Sequence, residues 1–327
     1  MPRNRILLAI FFTAITAVGI AAGVKIAQIE KVHRITETGG SNQTDRLTYD
    51  SGDVRTDDSF FTGAINKVVD SIPKVEEKDI PSPIRSQTKE DPVKAEAYIV
   101  GDLDSGEIYI EKNSKKVYPF ASMSKLITAL VAGDIYQSST TIAVTQLETE
   151  VPADASALTA GEKFTMKELL YPMLMNSSNV AAEAIASSTD RVKFLELMSS
   201  YAWEIGMPDA FFADPTGLSE RNAGTAAGFF AMAQYIYKKH PEILAITKIP
   251  TLTTATTTSH GSHVFTNIHP FVSDPRFLGG KTGHTSAAQD TMLTIMKISG
   301  KPIAIIVLRS PNNRAADTKY LISKLSI

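Results

Sequence analysis

Tyr118-Pro119-Phe120-Ala121-Ser122-Met123-Ser124-Lys125-Leu126-Ile127-Thr128 is the stretch on which the fold and chemistry of this chain turn. Ser122 and Lys125 stand three residues apart, and an apolar run continues through Ala129, Leu130, Val131 and Ala132. On a helix, residues three apart share a face, so the Lys125 amine falls beside the Ser122 hydroxyl. Apolar flanks disfavour the ammonium form and lower its pKa. A neutral lysine is a competent base for a serine nucleophile. A serine at a helix N-terminus also sits beside unpaired backbone N–H groups and the positive end of the dipole. Both favour the negative charge that develops in acyl transfer. The plainer alternative is an N-cap serine followed by a lysine that snorkels to solvent. Ser-x-x-Lys also occurs from Ser71 to Lys74 and from Ser86 to Lys89. The first copy contains Pro73 and the second lies in a proline-rich segment, so neither is suited to hold two side chains in fixed geometry.

Two further stretches carry chemistry. Ser177-Ser178-Asn179 joins two helical patterns, where a short loop can present a hydroxyl and an amide to a substrate; the alternative is an N-cap for the following helix. Gly279-Gly280-Lys281-Thr282-Gly283-His284-Thr285 precedes a strand-like run from Ala288. A glycine at 283 leaves room for another backbone to approach. Lys281 supplies positive charge, and Thr282 and Thr285 supply hydroxyls. Such a strand suits a ligand that carries a carboxylate and lies along it as a peptide does. The alternative is a glycine turn with a solvated lysine.

Each motif is weak alone, but their order is that of the penicillin-binding proteins and class A β-lactamases. The flanks narrow the match. The 118–128 segment resembles the nucleophile segment of the D-alanyl-D-alanine carboxypeptidases, the low-molecular-mass penicillin-binding proteins. So do Glu168-Leu169-Leu170-Tyr171, which leads toward Ser177, and Asp214-Pro215-Thr216-Gly217-Leu218. The resemblance covers about residues 95–310. It implies an α+β, β-lactamase/transpeptidase-like fold: a five-stranded antiparallel sheet flanked by helices, with an all-helical insertion and the site between them. It implies Ser122 as the acylated nucleophile, Lys125 as its base and Ser177 as the proton donor to the departing D-alanine. Asn179 orients side chains and the substrate amide, and Lys281 and Thr282 hold the terminal carboxylate. Gly283, His284 and Thr285 complete the binding strand, with the backbone N–H groups of Ser122 and His284 forming the oxyanion hole. The implied partners are a peptidoglycan stem peptide and β-lactams as covalent inhibitors, without cofactor or metal. Two departures stand out. Ser178 occupies a position where many such carboxypeptidases have glycine, which bears on loop flexibility. No Glu-x-x-Leu-Asn is present, which favours a peptidase that β-lactams inhibit over an enzyme that destroys them. A catalytically silent wall-binding module is the third alternative.

The rest of the chain sets the context. Of 327 residues, 43% are hydrophobic and 21% charged, which permits a sizeable core. A net charge of -2 gives no electrostatic case for nucleic acid. The absence of cysteine excludes disulfides, thiolate catalysis and cysteine metal sites. His260, His263, His269 and His284 are candidate metal ligands, but the first two have no acidic residue nearby in the sequence. There is no Gly-x-Ser-x-Gly, Gly-x-Gly-x-x-Gly or Walker loop.

Three regions are expected. Residues 6–24 are free of charge and as a helix are about 28 Å long, close to the ~30 Å of a bilayer core. Residues 1–24 therefore read as a transmembrane signal-anchor or a cleaved signal peptide. Arg3 and Arg5 precede the span and Lys25, Lys31 and Arg34 follow it, so it codes orientation weakly; it is the implied chemistry on peptidoglycan that puts the catalytic domain outside the cytoplasm, membrane-bound or secreted. Residues 25–93 read as a flexible tether: 36–93 carries 19 charged residues and four prolines. Within it, 60–72 has one apolar helical face, fitting a transient helix or a docking element. Residues 94–327 form the catalytic domain. Strands are predicted at 95–100, 107–110, 288–298 and 303–308, with turns at 104–106 and 300–302. Helices are predicted at 122–135, 166–176, 180–188, 192–206, 226–239 and 314–325. Strands, a helical block, strands and a last helix point to a layered sheet with helices and not to a doubly wound one.

Overall fold

The apolar run of residues 303–308 alternates between two cores, and that alternation organises the domain. The computed structural model describes residues 92–325. The chain divides into two units, Met1–Pro83 and Ile84–Ile327, and the described residues lie in the second. The predicted segments at 6–24 and 60–72 fall outside the described residues. Among the described residues, no helix is long and apolar enough to cross a membrane.

The main sheet contains β1 (Ala97–Asp102), β2 (Ile108–Lys112), β3 (Phe277–Thr285), β4 (Gln289–Ile298) and β5 (Lys301–Ser310). Its order is β2-β1-β5-β4-β3, with every neighbouring pair antiparallel. This is the five-stranded antiparallel sheet with helices that the resemblance implies. On central β5, Ala304, Ile306 and Leu308 point into one core and Ile303, Ile305 and Val307 into the other, following the two-residue period of a strand. Both faces are covered, so the strand reads as an unbroken apolar run.

Helices α1 (Lys125–Ile135), α2 (Gln146–Thr149), α3 (Met166–Met175), α4 (Asn179–Ser187), α5 (Arg191–Glu204), α6 (Ala226–Lys239) and α7 (Pro241–Thr247) lie between β2 and β3 in the chain. Helix α8 (Arg314–Ser323) follows β5 and places Leu321 in the second core. Helix α1 is buried from Lys125 through Ala132, as a helix apolar on every side must be. Helix α3 starts at a capping box, with Thr165 Oγ1 accepting from the Glu168 N–H and Glu168 Oε2 accepting from the Thr165 N–H.

One local expectation, the turn at 300–302, is corrected, and two elements are added to those predicted. Pro241 ends α6 and also opens α7, because proline is well suited to a first helical turn. The β4–β5 turn is made by Ser299 and Gly300, both with positive φ; Lys301 and Pro302 already belong to β5. A strand also precedes the one expected from residue 288. Gly279, Gly280 and Gly283 hide β3 from a β-propensity reading.

Candidate active site

The nucleophile candidate sits on a one-turn 3-10 helix, Ala121–Ser124, just ahead of α1. Ser122 is therefore not an N-cap; the α-helix begins at Lys125. Ala121 holds a left-handed φ of 49°, a strain of about 1–3 kcal/mol for a non-glycine residue, of the kind that concentrates at functional sites. Gly217 explains how the turn is held. A Cβ there would lie 2.0 Å from Ala121 O and 2.7 Å from Ser122 N, and its own φ is +88°. The Asp214-Pro215-Thr216-Gly217-Leu218 segment thus wedges against the backbone of Ala121 and Ser122. Asp214 shapes that segment, its Oδ1 accepting from the N–H groups of Thr216 and Gly217 at 2.9 and 2.6 Å.

Lys125 is fully buried. Its Nζ lies 3.0 Å from Ser122 Oγ, 2.7 Å from Asn179 Oδ1 and 2.6 Å from Thr216 O. Two of these partners can only accept; the serine hydroxyl can also donate. A neutral amine has two N–H bonds and one lone pair, which fits this set with the lone pair facing Ser122. Burial pushes the Lys125 pKa down to about 7, against Asp214, Asp154 and Glu183, which favour the ammonium.

The Ser177-Ser178-Asn179 segment joins α3 to α4, and its serines divide two jobs. Ser178 is buried and caps α4, accepting from the Ala181 N–H at 3.0 Å; this is the N-cap alternative, realised one residue beyond the site serine. Ser177, with φ at 67°, faces the cleft, and its Oγ accepts from Lys281 Nζ at 2.8 Å. Asn179 turns its Oδ1 to Lys125, and its Nδ2 donates to Pro152 O at 3.0 Å and Ala153 O at 3.2 Å. The Ser178 hydroxyl ties the loop to Asp154 Oδ1 at 2.8 Å.

Strand β3 forms the opposite wall at the sheet edge. A Cβ on Gly283 would meet Thr291 Oγ1 at 2.5 Å, Phe120 O at 2.9 Å and Ala121 Cβ at 3.0 Å. The backbone that uses the room at Gly283 is that of the 120–122 segment. Lys281 is buried, and its Nζ also donates to Thr282 O at 2.8 Å. Desolvation, then Lys125, then Arg314 hold its pKa well below the usual lysine value. It is thus not the solvated, permanently charged lysine of a simple turn.

A cleft of about 200 Å³ lies over these groups, lined by Ser122, Ser177, Asn179, Thr282, Gly283, His284 and other residues. Both lysines are buried behind the serines. Thr285 is not among the lining residues; its Oγ1 accepts from the Ala288 N–H in the β3–β4 turn. His284 pairs through Nδ1 with Asp290 at 2.9 Å.

Three contributors have a role that the sequence does not assign, although the first lies in the quoted 214–218 stretch. Thr216 acts through a backbone carbonyl, which no residue type reveals. Asp154 comes from a loop with no motif of its own. Arg314 lines the cleft from the start of α8, its Nη1 donating to Gly283 O at 2.7 Å and lying 3.3 Å from Asp290. Among the described residues, no group of three or more His, Asp or Glu side chains could hold a metal ion. His260 and His263 do have acidic neighbours, contrary to expectation: Glu168 at 3.6 Å and Glu162 at 2.7 Å, brought from the α3 region by folding.

A serine–lysine pair under a sheet edge, faced by a second serine–lysine pair, in this fold, defines a low-molecular-mass penicillin-binding protein. The chain belongs to the D-alanyl-D-alanine carboxypeptidase family, which it matches over residues 84–312. The D-alanyl-D-alanine carboxypeptidase DacB2 of Mycobacterium tuberculosis is 26% identical over 219 residues, covering 65% of this chain and 74% of that protein. A D-alanyl-D-alanine endopeptidase of Escherichia coli is 26% identical over 257 residues, covering 76% and 81%. The structure of penicillin-binding protein D2 from Listeria monocytogenes in its ampicillin-bound form has a TM-score of 0.63 at 26% identity, covering 71% of this chain and 96% of that one.

Proposed function

We propose that this chain is a serine-type D-Ala-D-Ala carboxypeptidase that removes the terminal D-alanine from peptidoglycan stem peptides. The observation that carries this reading is the buried Lys125 amine, 3.0 Å from Ser122 Oγ and anchored by two acceptor-only partners. Ser122 Oγ attacks the penultimate D-alanine carbonyl while Lys125 takes its proton. The oxyanion is held by the backbone N–H groups of Ser122 and His284. The amide C–N bond then breaks as the proton taken up by Lys125 is passed on through the Ser177 hydroxyl to the departing amine, which leaves Lys125 neutral, Ser177 protonated and an ester on Ser122. Water, activated by Lys125, cleaves that ester and restores the serine. The substrate's terminal carboxylate faces Thr282, Lys281 and Arg314; its negative charge raises the depressed Lys281 pKa and so restores the ammonium. β-Lactams acylate Ser122 in the same way and leave slowly. Residues 1–24 and 25–93 would carry the domain outside the cytoplasm as anchor or signal and as tether.

D-alanine release from an acyl-D-Ala-D-Ala peptide tests the reading. The wild type should release it and Ser122→Ala should not. A wild type that binds the peptide without releasing D-alanine is instead a silent wall-binding module.

One observation also favours cleavage of cross-linked stems. A second cleft of about 440 Å³, lined by Asp290, Asn312, Asn313, Lys319 and neighbours, adjoins the first and shares Ile268 and Arg314 with it. A departing D-alanine does not need that volume. A leaving D-centre with a free carboxylate and a side chain running on into a second peptide would use it. Cleavage of a cross-linked dimer alongside the linear peptide supports this second reading; an intact dimer beside a fully cleaved linear peptide removes it.

A further inference from the structure

Asp154 forms no bond to the groups that carry out the proposed chemistry, yet much of the site hangs on it. Its Oδ1 accepts from Ser178 Oγ at 2.8 Å and from the backbone N–H groups of Asn179 and Val180, the latter at 3.1 Å. Its Oδ2 accepts from the Ser156 N–H at 2.9 Å and from the Ser156 hydroxyl. Five donors from two segments converge on one carboxylate. Only an acceptor with no N–H of its own can take them all, so an asparagine of the same shape cannot.

We infer that Asp154 is the positioning residue of the Ser177–Asn179 arm, a latch that ties the 152–156 loop to the first turn of α4, with Ser178 as its keeper. The latch grips Asn179 at three points. Asp154 holds its backbone N–H, the carbonyls of Pro152 and Ala153 take its Nδ2, and its Oδ1 is thereby turned to Lys125. The contact chain runs from Asp154 through Asn179 to Lys125 and ends at Ser122 Oγ. The latch also fixes Ser177 in its left-handed conformation, against the tendency of a non-glycine residue to leave it. The same loop contributes Ala153 and Ala155 to the cleft wall, so one carboxylate sets two sides of the site. This gives Ser178 a reason to be serine: a glycine there has no hydroxyl to offer the latch.

Asp154 acts on Lys125 through its charge as well. The acids that face Lys125 are Asp214 from the 214–218 segment, Asp154 from its loop and Glu183 from α4; the opposing cation is Lys281 from β3. Burial alone raises the Asp154 pKa, and its hydrogen bonds from Ser156, Val180 and Ser178 outweigh that and keep it ionised. Removing this charge while keeping its size therefore favours the neutral amine.

The inference rests on the Ser122–Lys125 reading above, and its test is built on acylation by a fluorescent penicillin, measured as a rate against pH on the full chain. Asp154→Asn should lower the plateau rate about tenfold or more, the consequence of losing charge-assisted hydrogen bonds. It should also move the acid limb of the profile to lower pH. Ser178→Ala keeps the charge and loses one bond, so its rate should fall several-fold with the limb in place; it also covers the case in which Asp154→Asn does not fold. A wild-type rate and limb in Asp154→Asn overturn the inference. So does a loss of rate with an unmoved limb, which marks scaffolding alone. A wild type that penicillin does not label overturns the catalytic reading first.

Discussion

The placement of Lys125 makes a numerical demand on the pH dependence of acylation. The perturbation is Lys125→Arg, which keeps length and positive charge but cannot give up its proton at any accessible pH. The drop of the Lys125 pKa to about 7 corresponds to about 5 kcal/mol of preference for the neutral amine over its state in water. At pH 7.5, roughly three quarters of such lysines are neutral, against about 1 in 1,000 for a solvated lysine. Burial thus raises the competent fraction by about 700-fold, within the 10²–10⁴-fold range of general-base catalysis. The assay is the second-order rate of penicillin acylation from acid to alkaline pH. The wild type should rise with unit slope and reach half its plateau near pH 7. Lys125→Arg should lose about 10³-fold at the plateau while keeping its fold by circular dichroism. A profile flat through neutral pH, or an arginine variant within tenfold of wild type, refutes the assignment of Lys125 as the base.

Other expectations follow from the same geometry. Because the folded-state pKa of Lys125 lies below its unfolded value, the unfolded chain binds the extra proton between about pH 7 and 10.5, so stability rises with pH across that window. Denaturation curves should show wild type gaining up to about 5 kcal/mol over Lys125→Met from the lower to the upper end; parallel curves contradict it. Gly217→Ala places a Cβ 2.0 Å from Ala121 O at a positive φ, and should cost about 2–5 kcal/mol. A melting temperature within error of wild type, with normal acylation, speaks against the wedge. Arg314→Ala should lower kcat/KM about 10–100-fold for a peptide ending in a free carboxylate and far less for its terminal amide. Equal losses on both substrates mean that Arg314 only supports Gly283.

What could be read from the residues follows from how local each signal is. Helix α1 was legible because the run 126–132, apolar except for Thr128 and rich in Ala and Leu, directly follows the helically spaced Ser122 and Lys125. β5 was legible because both its faces are apolar. Ser122 and Lys125 were legible because their spacing is short and helical. β3 was legible only through its Lys281-Thr282-Gly283 motif and not through strand propensity, because its three glycines are held by close neighbours, side chains of Thr247 and Leu244 at Gly279 and backbone oxygens of Leu293 and Phe120 at Gly280 and Gly283. Arg314 and Asp154 act across 31 and 25 residues, on Gly283 and Asn179, and no periodic pattern links such positions. Thr216 contributes only a carbonyl. The histidine pair at 260 and 263 shows the same limit, because its acidic neighbours lie about a hundred residues away in sequence and within one cluster in space. Ser178 bears on loop flexibility by its position, but the direction is not legible in the sequence, because its partner Asp154 lies 24 residues away.

The central claim is that Ser122, backed by an uncharged Lys125, is where acyl groups attach. Intact-protein mass spectrometry with penicillin, followed by peptide mapping, tests it directly. One equivalent of adduct on the peptide containing Ser122, absent from Ser122→Ala, is the predicted result. An adduct on any other serine, or none on a folded wild type, contradicts it.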